Sequence, residues 1–375
     1  MNRKYLNVLL VALVISVAGC KKKGPDFEVK YLAVTTEKSF QLYDSFNESD
    51  FVVKYKDSLL TREQYTIDAA NFDTSQVGQT SIKVSLNIAK EIVTELLIDV
   101  DYRKTCKLLS IGDTYSEDLV YYTNLIANYK DEEFDYKIYS LQLENATIEL
   151  HNRYLFEDAK TYKLLEYDFE SMDWNYLENK SIKQALLFQN QWDIILLQEN
   201  VTRAHSLDNL DYIESFGSAL KSYLTQNNKK LPAVAVHQVW AYQDNVTIDN
   251  TYYELFNNSQ IAMYEAIAEV TNNLITNTST VDFIIPSGTI IQNARGSSLV
   301  TASDFTRDGR HLDLQIGRYA VALGLLTKIS GYEPDQFTYL GEEDSLIITS
   351  EEKAVLDTVV KDAIANPFAI TQVIG

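Results

Sequence analysis

The sequence has 375 residues, a formal charge of -20 at pH 7, four histidines and two cysteines. The length exceeds one typical domain and points to two. Nucleic acid is excluded as an expected partner, because so acidic a surface repels phosphate backbones, and so few cysteines leave stability to a packed core rather than to disulfides.

The chain begins with Arg3 and Lys4, runs through an apolar stretch over residues 6–17 and reaches Ala18-Gly19-Cys20. A charged start, a short apolar core and small residues before a cysteine predict a signal peptide of the lipoprotein type over residues 1–20. Cys20 is then the lipidated first residue, and the protein is an extracytoplasmic lipoprotein held to the membrane, at the periplasmic face or the cell surface. The apolar run is shorter than the ~20 residues a transmembrane helix needs. Loss of Arg3 and Lys4 takes the charge from -20 to -22 and leaves Cys106 as the single remaining thiol, so no internal disulfide is expected. Residues 21–25, with Lys21-Lys22-Lys23, read as a tether that is either solvated or in contact with anionic headgroups.

Residues 26–102 alternate apolar and polar positions in short runs, at 31–35, 51–55, 81–88 and 92–100, with turn signals such as Asn71-Phe72-Asp73 and Gln76-Val77-Gly78-Gln79 between them. That pattern predicts a small all-β sandwich. It gathers no cluster of His, Cys or paired acids, so a spacer or accessory binding role is expected.

From residue 103 to 375 the pattern becomes apolar strand, helix, apolar strand. Strands are predicted at 107–111, 136–141, 193–198, 233–237 and 281–286, and helices at 117–129, 207–226, 260–275, 312–326 and 350–364. Such alternation implies an α/β fold, a three-layer α/β/α sandwich with a mainly parallel sheet, whose ligands sit at the carboxyl ends of the strands.

Two segments about 200 residues apart carry the chemistry: Leu108-Leu109-Ser110-Ile111-Gly112-Asp113-Thr114-Tyr115-Ser116 and Asp308-Gly309-Arg310-His311. The first is an apolar strand that stops at a Gly-Asp turn and presents the Thr114 hydroxyl at the sheet edge. The second sets an acid three residues before a histidine, a workable way to orient an imidazole as general base. The plain alternatives are that Thr114 is a helix N-cap forming a capping box with Glu117, and that Asp308 and His311 cap a helix beginning near Leu312. Ser116 is a substitute nucleophile of weaker geometry. His151, His237 and Glu199 lack compact ligand spacing, so neither a metal nor any other cofactor is expected.

The segment 111–116 resembles the Ile-Gly-Asn-Ser-Phe-Ser start of an uncharacterised bacterial branch of the SGNH (GDSL-like) hydrolases. Further segments agree with that branch in order: Thr147-Ile148-Glu149-Leu150-His151; residues 192–199, ending Gln198-Glu199; His237-Gln238-Val239-Trp240-Ala241-Tyr242; Ile285-Pro286-Ser287-Gly288-Thr289; residues 307–312; Gly317-Arg318-Tyr319; and the tail 366–371. Residues 65–84 similarly resemble bacterial immunoglobulin-like repeats. The SGNH resemblance implies a flavodoxin-like fold and ester hydrolysis through an acyl-enzyme, commonly on acylated carbohydrate or small acyl esters. Thr114 would be the nucleophile, His311 the base and Asp308 its orienting acid. Gly112, Asp113, Asn145, Gln198, Glu199, His237 and Trp240 would form the oxyanion and substrate pocket.

The chain departs from that pattern where Thr114 replaces serine, Asn145 replaces the second-block glycine, and Gln198-Glu199 stands where the superfamily has asparagine. The added methyl of threonine restricts χ1 and crowds the attacking oxygen. Of the third block, Gln198 could supply an amide donor. The alternative function is therefore a catalytically impaired lipoprotein that binds glycan or peptide. Trp240 would either offer its face to a sugar or pack the sheet edge.

Overall fold

A computed structural model describes residues 27–129, 134–244, 246, 250–300, 304–341 and 346–371. The segments expected as signal peptide and tether, with Cys20 between them, lie outside the described residues. The chain divides into two compact units between Tyr102 and Arg103.

The first unit holds strands β1 (Leu32–Thr35), β2 (Phe40–Gln41), β3 (Val52–Tyr55), β4 (Ser58–Leu59), β5 (Tyr65–Asp68), β6 (Gly78–Leu86) and β7 (Ala89–Asp101). They form a three-stranded sheet in the order β1-β3-β4 and a four-stranded sheet in the order β2-β7-β6-β5. Alternation decides which side chains meet. Leu32, Val34 and Val53 from the first sheet join Ile82, Val84 and Ile98 from the second in one apolar core, while Lys83, Val93, Glu95 and Leu97 face outward.

In the second unit, β8 (Thr105–Gly112) leads into α1 (Thr114–Val120) and α2 (Thr123–Asn128), followed by β9 (Asp135–Gln142) and α3 (Ile148–Glu157). A hairpin of β10 (Tyr162–Asp168) and β11 (Asp173–Lys180) precedes α4 (Ile182–Leu186), β12 (Ile194–Gln198), α5 (Asn209–Gln226) and β13 (Ala233–His237). The rest comprises α6 (Asn250–Tyr253), α7 (Gln260–Asn277), β14 (Phe283–Ile285), α8 (Ser287–Arg295), α9 (Ile316–Ser330) and α10 (Ser350–Ala365).

The seven strands order as β11-β10-β9-β8-β12-β13-β14. Neighbours from β9 to β14 are parallel, and the hairpin continues the sheet antiparallel beyond β9. Helices cover both faces, which is why β12 and β13 are buried throughout and are apolar throughout 194–197 and 233–236. Leu109, Ile111, Leu141, Ile195, Leu197, Val234 and Val236 pack against Ile148 of α3, Ile182 of α4, Phe216 and Leu220 of α5, and Val270 of α7. On the opposite face, α1 and α2 lie against β8 and β9, and α9 packs on α1, α2, α8 and α10. Among the described residues no helix is long and apolar enough to cross a membrane.

Two predicted elements differ in the structure. The helix expected over 117–129 is two short helices, α1 and α2. The helix expected from Leu312 starts at Ile316, because the residues before it are taken up by a tight loop: Asp313 accepts the amides of Gln315 at 2.9 Å and Gly317 at 3.0 Å, satisfying donors that a helix start leaves unpaired.

The candidate active site

In the five parallel strands the order β9-β8-β12-β13-β14 reverses direction between β8 and β12, and a crevice at such a switch point is where ligands bind in open α/β sheets. Gly112 ends β8 there. A Cβ at this position would collide with the Gln198 side chain and the Ser116 hydroxyl. Its absence lets Gln198, at the end of β12, bring Oε1 to within 2.7 Å of the Asp113 N–H.

Asp113 is the N-cap of α1, and its carboxylate accepts the Tyr115 N–H at 2.9 Å. The capping role anticipated for Thr114 thus belongs to its neighbour. Thr114 is the first helical residue, with its hydroxyl oxygen 2.9 Å from His311 Nε2. Ser116 is fully buried and donates to Gln198 Oε1 at 3.1 Å, which removes it as a substitute nucleophile.

His311 comes from the loop between α8 and α9. Its Nδ1 is 2.6 Å from Asp308 Oδ2, and the other Asp308 oxygen accepts the backbone amides of His311 at 2.7 Å and Arg310 at 3.0 Å. Burial pushes the Asp308 carboxyl up, but these hydrogen bonds outweigh it and hold the group below its usual range. An ionised Asp308 accepts a hydrogen bond from the Nδ1–H and so leaves the Nε2 lone pair facing the Thr114 hydroxyl. Asp308 therefore ties the histidine's own loop rather than capping the following helix.

That loop is closed by Arg307 N–H to the His311 carbonyl at 2.9 Å, Asp313 N–H to the Phe305 carbonyl at 2.8 Å, and a bridge between Thr306 and Leu312. Gly309 sits at its tip with φ +84°, and a Cβ there would also strike Val246. Gly309→Ala is expected to lower stability by roughly 1–3 kcal/mol through strain at this backbone conformation. Urea unfolding of the two proteins measures it.

Gln198 and Glu199 are struts. Gln198 is fully buried, and its Nε2 donates to the Glu199 carbonyl at 2.6 Å while Oε1 is taken by Asp113 and Ser116. Its Oε1 thus braces the turn that carries Thr114, and one Nε2 hydrogen is spent on the Glu199 carbonyl. Asn200, which no sequence motif singles out, donates to Asp113 Oδ2 at 2.9 Å. Glu199 accepts the amides of Ile148 at 3.2 Å and Asn200 at 2.7 Å, joining the start of α3 to the end of β12.

Burial raises the Glu199 carboxyl to about 7 and that of Asp113 to about 6. Carboxyls raised in the folded state bind protons more tightly there than in the unfolded chain. Their stabilising contribution is full at low pH and is lost as pH climbs from about 4 through about 7. Glu199→Gln is accordingly expected to flatten the fall in folding free energy over this window, measured by urea unfolding at several pH values.

Asn145 lies in the loop after β9, exposed, with φ +56°, a left-handed conformation that asparagine tolerates better than most residues. Trp240 does not present a face to solvent. It is fully buried, stacks on Tyr115 with ring centroids 4.6 Å apart, and donates to the Arg310 carbonyl at 2.7 Å. It therefore supports the histidine loop from behind. His237 is buried beside it, with burial holding its imidazole down at about 3 and hence neutral. His151 belongs to the core, with Nδ1 2.8 Å from the Tyr162 hydroxyl. Among the described residues no three or more His, Cys, Asp or Glu side chains gather as a metal cluster would.

Residues 107–354 match the family model described as a domain of unknown function (DUF4886). The chain belongs to the DUF4886 family. A DUF4886 protein of Bacteroides uniformis ATCC 8492 has a similar structure, with a TM-score of 0.63 at 24% identity over 72% of this chain and 98% of that one. A putative platelet activating factor protein of Streptococcus pneumonia gives a TM-score of 0.33 at 15% identity, covering 61% of this chain and 85% of that one. A catalytic mutant of Axe2, an acetylxylan esterase of Geobacillus stearothermophilus, gives 0.35 at 12%, covering 62% and 97%. No curated protein matches. Within the DUF4886 domain, Gly112, Asp113, Thr114, Gln198 and Glu199 lie at the carboxyl ends of the central strands β8 and β12, where Asp308 and His311 meet Thr114, whereas Trp240 is buried behind them with His237 beside it.

Proposed function

We propose that the DUF4886 domain is an SGNH-type ester hydrolase whose nucleophile is Thr114. The observation that carries this reading is the continuous chain from Thr114 Oγ1 to His311 Nε2 at 2.9 Å and from His311 Nδ1 to Asp308 at 2.6 Å.

In the reaction, Oγ1 attacks the ester carbonyl as its proton passes to Nε2, and Asp308 stabilises the imidazolium. The carbonyl oxygen becomes an oxyanion beside the start of α1, where the Thr114 N–H would donate to it, the Tyr115 N–H being taken by the Asp113 carboxylate. The intermediate collapses, the C–O bond to the alcohol breaks, and His311 returns the proton to the leaving alkoxide. Water, deprotonated by the same imidazole, then attacks the acyl-threonine carbonyl; the bond from the acyl carbon to Oγ1 breaks, His311 returns the proton to Oγ1, and the acid is released.

The same reading extends to the whole chain: an extracytoplasmic lipoprotein anchored through Cys20, an immunoglobulin-like spacer over residues 26–102, and an acylated carbohydrate as substrate. The leader pattern and the ordered sequence blocks support it. Steady-state hydrolysis of a short acyl ester by residues 26–375 is the test. Turnover above background, lost in Thr114→Ala, is the expected result. Background turnover in the native chain with activity appearing only in Thr114→Ser would instead support a retired enzyme that binds its former substrate.

A further inference from the structure

Asp118 lies four residues after Thr114 on α1, so the two share a helix face. It is fully buried and is gripped by two arginines from the other side of the site. Oδ1 lies 3.0 Å from Arg307 Nη1, 2.8 Å from Arg318 Nε and 2.6 Å from Arg318 Nη2. Oδ2 lies 3.2 Å from Arg307 Nη1 and accepts the Leu312 backbone N–H at 2.9 Å. Arg307 also donates to the Leu312 carbonyl, so both polar groups of the residue next to His311 are held by the same ion pair. Arg318, from α9, lies over the Tyr121 ring at 4.1 Å and 3.7 Å from Glu117.

This arrangement links the nucleophile helix to the histidine loop by a route separate from the triad. The distance between Thr114 Oγ1 and His311 Nε2 depends on where the loop sits against α1. The Asp118 carboxylate is the group on α1 that fixes the loop backbone immediately after His311. A buried ion pair is weak evidence of net stabilisation, since desolvation offsets much of the Coulomb attraction, but removing one partner leaves an uncompensated charge. Here the Leu312 peptide loses a partner as well: truncating Asp118 takes the acceptor of its N–H, and truncating Arg307 takes the donor to its carbonyl.

We propose that Asp118, with Arg307, is a positioning residue that sets the Thr114–His311 geometry through the Leu312 peptide. The inference rests on the hydrolase reading for its catalytic meaning, and its geometric content can be read without turnover.

The test uses the whole chain in mild detergent and compares wild type with Asp118→Asn, Arg307→Met and Arg307→Lys. Arg307 is partly exposed, so its variants keep the question open if Asp118→Asn fails to fold. The first readout is the His311 Nδ1 proton, which a 2.6 Å bond to Asp308 should place far downfield in NMR spectra of protein labelled with 15N-histidine. The second is kcat and KM for a short acyl ester, in wild type or in Thr114→Ser, whichever turns over.

Arg307→Met and folded Asp118→Asn should shift or broaden the proton signal and lower kcat by about ten- to a hundredfold with little change in KM, as expected for displaced reacting groups. Arg307→Lys should recover part of both. An unchanged resonance in the folded variants, or an unchanged kcat despite lower thermal stability, would overturn the proposal and reduce Asp118 to a fastening. Absence of turnover in both wild type and Thr114→Ser, with the resonance still displaced in the variants, would instead contradict the hydrolase reading while leaving the positioning role standing.

Discussion

His311→Ala is expected to reduce kcat/KM for a short acyl ester by about a thousandfold or more, the loss seen when the base of a hydroxyl-histidine-acid triad is removed. The magnitude follows from the geometry. A threonine hydroxyl is a poor nucleophile at neutral pH, and among the described residues the base within hydrogen-bond reach of it is His311, at 2.9 Å. Because Tyr115 lies with its ring centroid 5.6 Å from the imidazole and Trp240 stacks on Tyr115, truncation leaves the aromatic support in place. The loop is still tied by Asp308 to the residue 311 backbone and by Asp118 to Leu312. The variant should therefore fold, which a thermal melt alongside the kinetic assay would verify.

Thr114→Ser is expected to raise kcat by about ten- to a hundredfold. The hydroxyl already meets Nε2, so the barrier added by threonine lies in its methyl group, which stiffens χ1 and narrows the approach of an ester carbonyl. Asp113 supplies the helix cap, so the substitution costs the helix little. KM should change less than kcat, since the methyl opposes attack more than binding. Parallel kinetics on the two proteins measure this. A folded serine variant with no gain would move attention to Asn145 and the oxyanion donors.

Much of this domain was legible in the sequence because its signals are local. The buried parallel strands are apolar throughout 194–197 and 233–236, and the helices over 209–226 and 260–277 follow amphipathic periodicity. The hairpin at 162–180 was missed. Tyr162, Leu164 and Trp174 are buried, but the outward residues of β11 alternate without a strong apolar pattern, and its partner strand lies outside the parallel grammar.

At the site, the acid three residues before a histidine and the Gly-Asp-Thr turn could be read because each is a contiguous motif. The roles of Asp113, Gln198, Asn200 and Asp118 could not, because they depend on partners 82 to 200 residues away. A sequence shows that Thr114 precedes Glu117 at capping-box spacing. It does not show that Asp113 reaches the helix amides first. Likewise Trp240, legible only as either a sugar platform or a packing residue, is buried by the fold under the histidine loop.

The central claim is that Thr114 is an activated hydroxyl, and covalent labelling tests it most directly. The whole chain would be incubated with an organophosphonate probe, its intact mass measured and the modified peptide mapped. A single adduct on Thr114, absent from Thr114→Ala and His311→Ala, is the predicted result. No adduct on residue 114 in either the native protein or Thr114→Ser would contradict the account.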